Sequence, residues 1–269
     1  MPELPEVETI ANGLNKRVAG DRIETVWIGS KPEPLKTPAA VMARALEGAR
    51  VDRVHRVGKH IVFDLSSGNS APAQWIVHLG MTGRMLVAAP ESELPRHTHL
   101  VAKMASGREL RFVDPRRFGR LEVRKSAFSG PGAEPLNITA AGFAALFHKS
   151  RSLIKAALLN QRFLHGVGNI YADESLFRAG IRPRRRANTL TRAELDKLHA
   201  AVQEVLKEAI AAGGSSISDY VDAEGEAGFF QFQHRAYGRE DEPCPVCRTP
   251  IKKIVVAGRG THYCPKCQK

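Results

Sequence analysis

The chain has 269 residues, 43% of them hydrophobic, and its 40 lysines and arginines against 28 acidic residues give a net charge of +12. This composition can bury a core, and no apolar run approaches the ~18 residues that cross a bilayer. The acidic start MPELPEVETI lacks the layout of a secretory signal, which disfavours membrane and secreted proteins and leads us to expect a cytoplasmic location. The positive charge favours a polyanionic partner, with nucleic acid as the first candidate.

A helix is predicted at the start of the chain. Pro5 suits the first turn of a helix, Glu6 and Glu8 suit its N-terminal end, and apolar residues follow at helical spacing. Six strand-like runs come next, separated by Gly, Pro and Ser turns: IETVWIG, KHIVFDL, QWIVHLG, HLVAKMA, RELRFVD and RLEVR. Short strands with frequent turns predict an antiparallel sandwich or barrel.

The pattern becomes helical after SGPGAEPLN, where we expect a domain boundary. The clearest helix starts at Thr191, where Glu194 completes a capping box, and the pair Gly213 and Gly214 ends it. The second part of the chain is therefore predicted to be mainly α-helical up to the cysteine-containing end.

A glycine turn within NQRFLHGVGNIYADESLF is a candidate phosphate site. Gly166 and Gly168 allow close approach of the backbone, and Asn169 is well placed to cap the next helix, whose N-terminus would offer free N–H groups. An ordinary turn between two packed helices is the alternative. The arginines at 182 and 184–186 follow one helix later, and this charge favours phosphate binding.

All four cysteines lie near the C-terminus, spaced as C-x2-C, sixteen residues, then C-x2-C. This spacing predicts a zinc ribbon, and the intervening IKKIVVAGRGTHY predicts two strands around a turn at Gly258-Arg259-Gly260. Two disulfides are the alternative, which the missing secretion signal disfavours. We expect one structural Zn²⁺ with a closed set of thiolate ligands, Cys244, Cys247, Cys264 and Cys267.

The residues behind Met1 have the chemistry of a nucleophile. A small second residue such as Pro2 usually permits removal of Met1, which leaves a secondary amine. An α-amino group titrates near ~7.7–8.0, so a neutral fraction exists at pH 7 and can attack an electrophilic carbon to give an iminium. Glu3 and Glu6 are candidate proton-transfer groups beside it. The alternative is that Pro and Glu merely start a helix.

Seven motifs occur in order: MPELPEVET, VGKH, HLGMTG, DPRRFG, GVGNIYADESLFRAGI, AYGRE and the cysteine ribbon. Together they closely resemble the bacterial formamidopyrimidine-DNA glycosylases, base-excision enzymes that remove 8-oxoguanine and ring-opened purines. The resemblance covers essentially the whole chain and implies an α+β fold. Its expected domains are a two-sheet β-sandwich with an N-terminal helix (1–132), a helix–two-turn–helix domain (133–233) and a zinc ribbon (234–269).

The resemblance also implies a mechanism. Pro2 attacks C1′ of the damaged nucleotide, Glu3 acts as acid and base, and Lys59 contacts the phosphate beside the lesion. Successive β and δ eliminations from the iminium make the enzyme an AP lyase as well. The partner is double-stranded damaged DNA, and the protein is expected to act as a monomer.

Three residues match those with which the family fills the gap left by an everted nucleotide: Met81, Arg116 and Phe118. A flexible Met can fill this space, Phe can wedge into a base step, and Arg can bond the orphaned base. The alternative places Met81 and Phe118 in the core and pairs Arg116 with Asp114.

Further DNA contacts are implied by resemblance. His97, Asn169 and Arg259 match DNA-binding positions, as does Arg116. Lys155 matches a position linked to oxidised-purine preference, which makes it a candidate for lesion recognition. The segment GGSSISDYVDAEGEAGFFQ corresponds to the loop that closes over the everted base, and Ser218 is its candidate lesion contact.

The chain departs from the family pattern at Thr98, His165 and His234, which affects linker packing and fine DNA contacts rather than the reaction class. Two alternative functions stay open. An endonuclease VIII-type enzyme would prefer oxidised pyrimidines, but its usual opening is PEGPE-like. A zinc-ribbon DNA-binding protein that has lost its chemistry is disfavoured by the intact set Pro2, Glu3 and Lys59.

Overall fold

The computed structural model describes residues 1–67, 70–216, 221–223 and 225–269. It divides into two compact units: Met1–Ser129 with Ala212–Phe229, and Gly130–Ala211 with Phe230–Lys269. Among the described residues, no helix is both long and apolar enough to span a membrane. The three domain ranges expected from the sequence stay a prediction.

The first unit contains two four-stranded antiparallel sheets. The strands of one sheet are β1 (Ile23–Ile28), β5 (Arg84–Ala88), β6 (Thr98–Met104) and β7 (Glu109–Val113), in the order β1-β6-β7-β5. Those of the other sheet are β2 (Arg50–Val57), β3 (His60–Ser67), β4 (Ser70–His78) and β8 (Arg120–Arg124), in the order β2-β3-β4-β8. All six predicted strands are present, whereas β2 and β5 were not predicted.

One hydrophobic core joins the two sheets. Buried residues from every strand of both sheets belong to it, and the rings of Phe63 and Trp75 stack at its centre with centroids 4.7 Å apart. Helix α1 (Leu4–Val18) buries its apolar face in the same core, and α2 (Ala39–Leu46) adds Met42 and Leu46. The predicted sandwich with an N-terminal helix is confirmed.

The second unit is mainly helical. Its helices are α3 (Ala140–His148), α4 (Ile154–Leu159), α5 (Asn169–Ala179) and α6 (Arg192–Ala211), with short 3-10 turns at Ala187–Thr189 and Phe230–Gln233. The predicted capping box precedes α6, because the Thr191 N–H donates to Glu194 Oε2 at 2.8 Å and the Glu194 N–H donates to Thr191 Oγ1 at 3.2 Å. A two-stranded hairpin, β9 (Lys252–Val256) and β10 (Arg259–Tyr263), lies between the cysteine pairs.

Candidate active site and nucleic-acid interface

The predicted nucleophile lies at the start of α1. Pro2 is buried, and Glu3, which is 5% exposed, is the N-cap residue of the helix. The Glu3 backbone N–H donates to Glu6 Oε2 at 2.8 Å, while Glu6 Oε1 accepts from the Ser215 N–H at 2.8 Å. Glu6 therefore fixes the N-terminal residues and the segment that follows Gly214, which makes it a positioning group.

Lys59 lies in the turn between β2 and β3, in a region of positive charge. His78 Nδ1 donates to the Lys59 carbonyl oxygen at 3.1 Å. Burial lowers the pKa of His78, and the charges of Lys59, Lys36 and Arg120 lower it further. This concentration of positive charge suits a phosphate group. His78 lies within the motif HLGMTG, but the motif alone does not indicate a role for it.

Met81 and Phe118 are exposed on two turns of the first unit. These two turns are in close contact and are joined by hydrogen bonds to Asp114. The buried Asp114 carboxylate accepts from Thr82 Oγ1 at 2.6 Å and from the Gly119 N–H at 2.8 Å. Gly80 has φ 63°, and a Cβ on it would lie 2.6 Å from the carbonyl carbon of Phe118. The two side chains are 43% and 48% exposed, which excludes the alternative that places them in the core.

Arg116 lies on the same turn as Phe118. Its guanidinium carbon stands 4.7 Å from the centroid of the Phe118 ring, a cation–π contact. The Asp114 carboxylate bonds the Arg116 backbone N–H at 3.3 Å rather than serving as the surface ion-pair partner of the alternative interpretation. Met81, Arg116 and Phe118 thus form one exposed group, which we call the wedge group.

His97 is exposed just before β6 and has a left-handed φ of 65°. Thr98, one of the departures from the family pattern, donates its hydroxyl to the Pro95 carbonyl oxygen at 2.6 Å. His99 is buried and contacts the Asp114 carbonyl oxygen at 2.9 Å. Of the two histidines in RHTH, His97 is therefore the one available to DNA, and its DNA-binding role stays a prediction.

The segment predicted to close over the base belongs to the first unit. Its two ends are joined, because the Phe229 N–H donates to the Ala212 carbonyl oxygen at 3.0 Å. In its middle, the Val87 N–H of β5 donates to the Ala223 carbonyl oxygen at 3.1 Å. Ser218, the candidate lesion contact, lies outside the described residues.

The glycine turn before α5 is ordered by Gln161. Its side chain donates to the carbonyl oxygens of Leu159 and Val167 and accepts from the Gly166 N–H, each at 2.9 Å. Gly168 is the N-cap of α5 and Asn169 is its first residue, so the prediction that Asn169 caps the helix is wrong. Asn169 Nδ2 donates instead to the Gly260 carbonyl oxygen of β10 at 2.9 Å.

Arg259 is exposed at the start of β10, where it pairs with Val256. The turn consists of Ala257 and Gly258, with φ values of 50° and 72°. The predicted turn at Gly258-Arg259-Gly260 is thus shifted by one residue, because a two-residue hairpin turn needs positive φ at both central positions. The shift makes Arg259 the first strand residue and sets its position by strand pairing.

Lys155, on α4, is completely buried. Its Nζ lies 2.7 Å from Asp173 Oδ1, 2.7 Å from Thr261 Oγ1 and 3.0 Å from the Gly260 carbonyl oxygen. Thr261 and Gly260 accept hydrogen bonds from the ammonium group, and Asp173 balances its charge as an ion-pair partner. Lys155 is therefore not exposed to solvent in this structure, and its role in lesion recognition stays a prediction.

Two adjacent acids of α5 anchor separate segments of the second unit. Asp173 Oδ2 accepts from the His262 N–H at 2.8 Å. Glu174 accepts from three successive backbone N–H groups, those of residues 235–237, at 2.8–3.0 Å. Burial raises the pKa of Glu174, and these three bonds oppose that rise. Neither acid was predicted as a functional residue, although two adjacent acids within the mainly apolar helix NIYADESLF are a signal in the sequence.

The arginines at 182 and 184–186 hold the chain together. Arg182 Nε donates to the Gln268 carbonyl oxygen at 3.0 Å, Arg185 pairs with Glu194, and Arg186 donates to the Arg151 carbonyl oxygen at 3.1 Å. From the sequence, this run of arginines favoured phosphate binding. The structure gives it a packing role that includes attachment of the C-terminal residues.

Two histidine departures lie in the second unit. His165 packs so closely on Gly130 that a Cβ on Gly130 would overlap the Nδ1 atom of His165. The Nε2 atom of His165 lies 3.4 Å from Glu134 Oε2. His234 lies between two aromatic rings, those of Phe230 and Tyr237, with centroids 5.5 and 5.7 Å away. Burial lowers the pKa of His234 to about 4.

The four cysteines form one site. Their Sγ atoms all lie within 4.8 Å of one another, and all four cysteines are free rather than disulfide-bonded. Tetrahedral zinc with bonds of about 2.3 Å requires sulfurs about 3.8 Å apart, which fits this cluster. Backbone N–H groups at Val246 and Cys267 donate to sulfurs at 3.4 Å, as expected for thiolate ligands. The donor set fits one closed structural zinc site.

Comparisons with known families agree with this architecture. Residues 1–121 match the model of the formamidopyrimidine-DNA glycosylase N-terminal domain, and residues 130–221 match that of its H2TH domain. Residues 241–269 match the zinc finger found in FPG and IleRS. The family match and the cysteine cluster together confirm the predicted zinc ribbon.

Individual relatives are similar over their full length. The formamidopyrimidine-DNA glycosylase of Solibacter usitatus (strain Ellin6076) is 44% identical over 280 residues, with 100% of each chain covered. Wild-type Lactococcus lactis Fpg in complex with a N7-benzyl-Fapy-dG containing DNA has a TM-score of 0.89, 34% identity and 100% coverage of both chains. The same protein with an abasic site containing DNA has a TM-score of 0.88, 34% identity and 99% coverage of both chains. The chain belongs to the formamidopyrimidine-DNA glycosylase family.

Proposed function

We propose that this protein excises oxidised purines, 8-oxoguanine and formamidopyrimidines, from double-stranded DNA and then cleaves the strand as an AP lyase. The observation that carries the proposal is the placement of Pro2 and Glu3 at the buried start of α1, where Glu6 fixes the backbone. Lactococcus lactis Fpg supports the same activity, because its structures contain N7-benzyl-Fapy-dG DNA and abasic-site DNA.

The chemistry starts after Met1 is removed, because the Pro2 nitrogen is then a secondary amine instead of an amide. Its lone pair attacks C1′ of the damaged nucleotide, and the glycosidic C–N bond breaks with its electrons moving to the base. Glu3 transfers a proton as the sugar ring opens to the iminium. Loss of the C2′ proton expels the 3′ phosphate, and a second elimination expels the 5′ phosphate.

The remaining side chains bind and hold the DNA. Lys59 and Arg259 supply positive charge for phosphate oxygens, and the second N–H of Asn169 Nδ2 is a further donor. The wedge group fills the space of the everted nucleotide. Zinc orders the ribbon that presents Arg259 and takes no part in the bond changes. We further propose a cytoplasmic monomer, since one chain carries all of these groups.

The Pro2 amine is tested by the variant Pro2→Gly with a lesion-containing duplex. We expect the affinity for the duplex to be unchanged and excision to slow by roughly tenfold or more. The borohydride-trapped adduct should be weaker, because the secondary amine becomes a primary one. Glu3→Gln is the companion variant, and it should slow base excision by about 10²–10⁴-fold but cleave a preformed abasic site far better. Unchanged turnover of Pro2→Gly, or equal losses of Glu3→Gln on both substrates, would contradict the assigned roles.

Two further measurements address the alternative functions. The parent protein should excise 8-oxoguanine faster than thymine glycol, and the reverse order would indicate an endonuclease VIII-type enzyme. Borohydride reduction during turnover should give a covalent complex whose attachment maps to the N-terminal peptide. A protein that only binds DNA would give no such complex.

A further inference from the structure

The buried ammonium of Lys155 belongs to a chain of contacts that ends at Arg259. Lys155 Nζ donates to Thr261 Oγ1 at 2.7 Å, and the Thr261 hydroxyl donates in turn to the Arg259 carbonyl oxygen at 2.9 Å. Lys155 and Thr261 are both 0% exposed. The backbone of the exposed Arg259 is thus connected through one hydroxyl group to a buried charge on α4.

The residues after Arg259 are held from the same side. The Gly260 carbonyl oxygen accepts from Lys155 Nζ at 3.0 Å and from Asn169 Nδ2 at 2.9 Å. The His262 N–H donates to Asp173 Oδ2 at 2.8 Å. An isolated two-stranded hairpin is marginally stable, so β9 and β10 depend on such attachments for a fixed position.

Among these contacts, only Asp173 carries a charge opposite to that of Lys155. Lys155 Nζ lies 2.7 Å from Asp173 Oδ1, and both side chains are 0% exposed. We propose that the Lys155–Asp173 ion pair is a positioning device for Arg259: it fixes the β10 backbone so that the guanidinium meets its DNA phosphate. The proposal deepens the proposed function and rests on it. It replaces direct lesion recognition by Lys155 with an effect on DNA affinity.

The first test removes both charges together, because removing one would leave the other buried without a partner. Lys155→Met with Asp173→Asn keeps the side-chain volumes and an acceptor for the His262 N–H. We expect the zinc-loaded variant to bind a tetrahydrofuran-containing duplex about tenfold more weakly. The slope of log affinity against log salt concentration should be smaller by about 1, as for Arg259→Ala. Single-turnover excision at saturating enzyme should stay within about twofold of the parent rate.

A matched control removes another ion pair of α5 without a change in net charge. Arg178 pairs with Glu208 at 2.6 Å, away from the hairpin contacts. Arg178→Met with Glu208→Gln should leave the dissociation constant within about twofold of the parent value. A control loss as large as that of the Lys155–Asp173 variant would overturn the proposal, because the effect would then be general.

The decisive measurement combines the charge-pair variant with Arg259→Ala. If the ion pair acts through Arg259, the combined variant binds as weakly as Arg259→Ala alone, because a guanidinium that is absent cannot be mispositioned. If the losses of affinity of the charge-pair variant and of Arg259→Ala multiply in the combined variant, the proposal is overturned. A selective loss of 8-oxoguanine excision with unchanged affinity, which is the signature of a lesion contact, would also overturn it.

A second variant covers the case in which the charge-pair variant does not fold. Thr261→Val removes the hydroxyl link and keeps the ion pair, so we expect a smaller loss of affinity that again disappears in the Arg259→Ala background. Parent-level affinity of Thr261→Val would overturn the proposal. Binding is measured without chemistry, so failure of the proposed function appears separately, as an absent borohydride adduct of the parent protein.

Discussion

Glu6 serves two backbone segments with one carboxylate. One oxygen accepts from the Glu3 N–H, beside the proposed nucleophile, and the other accepts from the Ser215 N–H, at the start of the segment that corresponds to the base-closing loop. A carboxylate with both oxygens engaged by backbone donors is a poor proton shuttle. The Glu3 side chain accepts from the Glu6 backbone N–H in the capping box, and we expect Glu3 rather than Glu6 to transfer the proton. The residues alone left both Glu3 and Glu6 as candidates, and the family resemblance assigned the role to Glu3.

His234 gives this chain a stability that depends on pH. Its folded-state pKa of about 4 lies below the usual ~6.5 because of burial between aromatic rings. The unfolded chain therefore binds more protons between these values, and stability present above pH 6.5 is lost as the pH falls towards 4. The shift corresponds to about 3 kcal/mol at most.

The pH effect is tested with His234→Leu, which replaces the imidazole with an apolar side chain that does not titrate. We expect the free energy of unfolding of the parent to fall between pH 6.5 and 4 by more than that of the variant, as measured by urea denaturation at several pH values. The variant retains the other titrating groups and serves as the reference. Parallel curves for the two proteins would show that His234 is not the responsible group.

At the scale of elements, the strands missed by the sequence analysis share a position. Both β2 and β5 are edge strands, since they end the orders β2-β3-β4-β8 and β1-β6-β7-β5. Edge strands carry charges and need no strict alternation, as RVDRVHRV shows for β2. The central strands were predictable because their apolar side chains face the core.

The candidate site was predictable where local chemistry defined it. The motifs gave Pro2, the wedge group and the cysteines, but the burial of Lys155 depends on Thr261, which lies 106 residues further along the chain. No local pattern reports such a contact. Asp173 and Glu174 were missed for the same reason, since their partners belong to distant segments.

The close contact between the two turns that carry the wedge group can be tested by a substitution at Gly80. In Gly80→Ala the new methyl group would meet the Phe118 backbone at 2.6 Å and strain a positive φ, so the two turns must separate. We expect the loss of stability from φ strain to be about 1 kcal/mol and single-turnover excision to fall by more than about tenfold.

Gly107→Ala is the matched control, because Gly107 also has a positive φ, 86°, but nothing within 4 Å of a Cβ. It should lose similar stability by thermal unfolding and retain excision. Equal losses of excision in the two variants would show that backbone strain, and not the spacing of the turns, limits the reaction.

In the whole molecule, the net charge of +12 lies mainly in the second unit, which carries +10, while the first unit carries +2. The proposed phosphate contacts nevertheless come from both units. Lys59 belongs to the first unit and Arg259 to the second. Each neutralised phosphate contributes about −0.9 to the slope of log affinity against log salt concentration. The replacements Lys59→Met and Arg259→Met should therefore each reduce the slope by about 1.

Removal of zinc tests whether DNA binding by Arg259 depends on the folded ribbon. The ribbon packs on α5 in a small core that consists of Phe177 of α5 with Ala236, Cys244, Ile251 and Cys264, and two of these residues are zinc ligands. Chelation should therefore unfold the ribbon and weaken DNA binding. We expect the chelated parent to show the smaller salt slope of Arg259→Met, and Lys59→Met to lower it further by about 1, because the sandwich keeps its own core. A slope that chelation leaves unchanged would mean that Arg259 makes its phosphate contact without the zinc-bound fold.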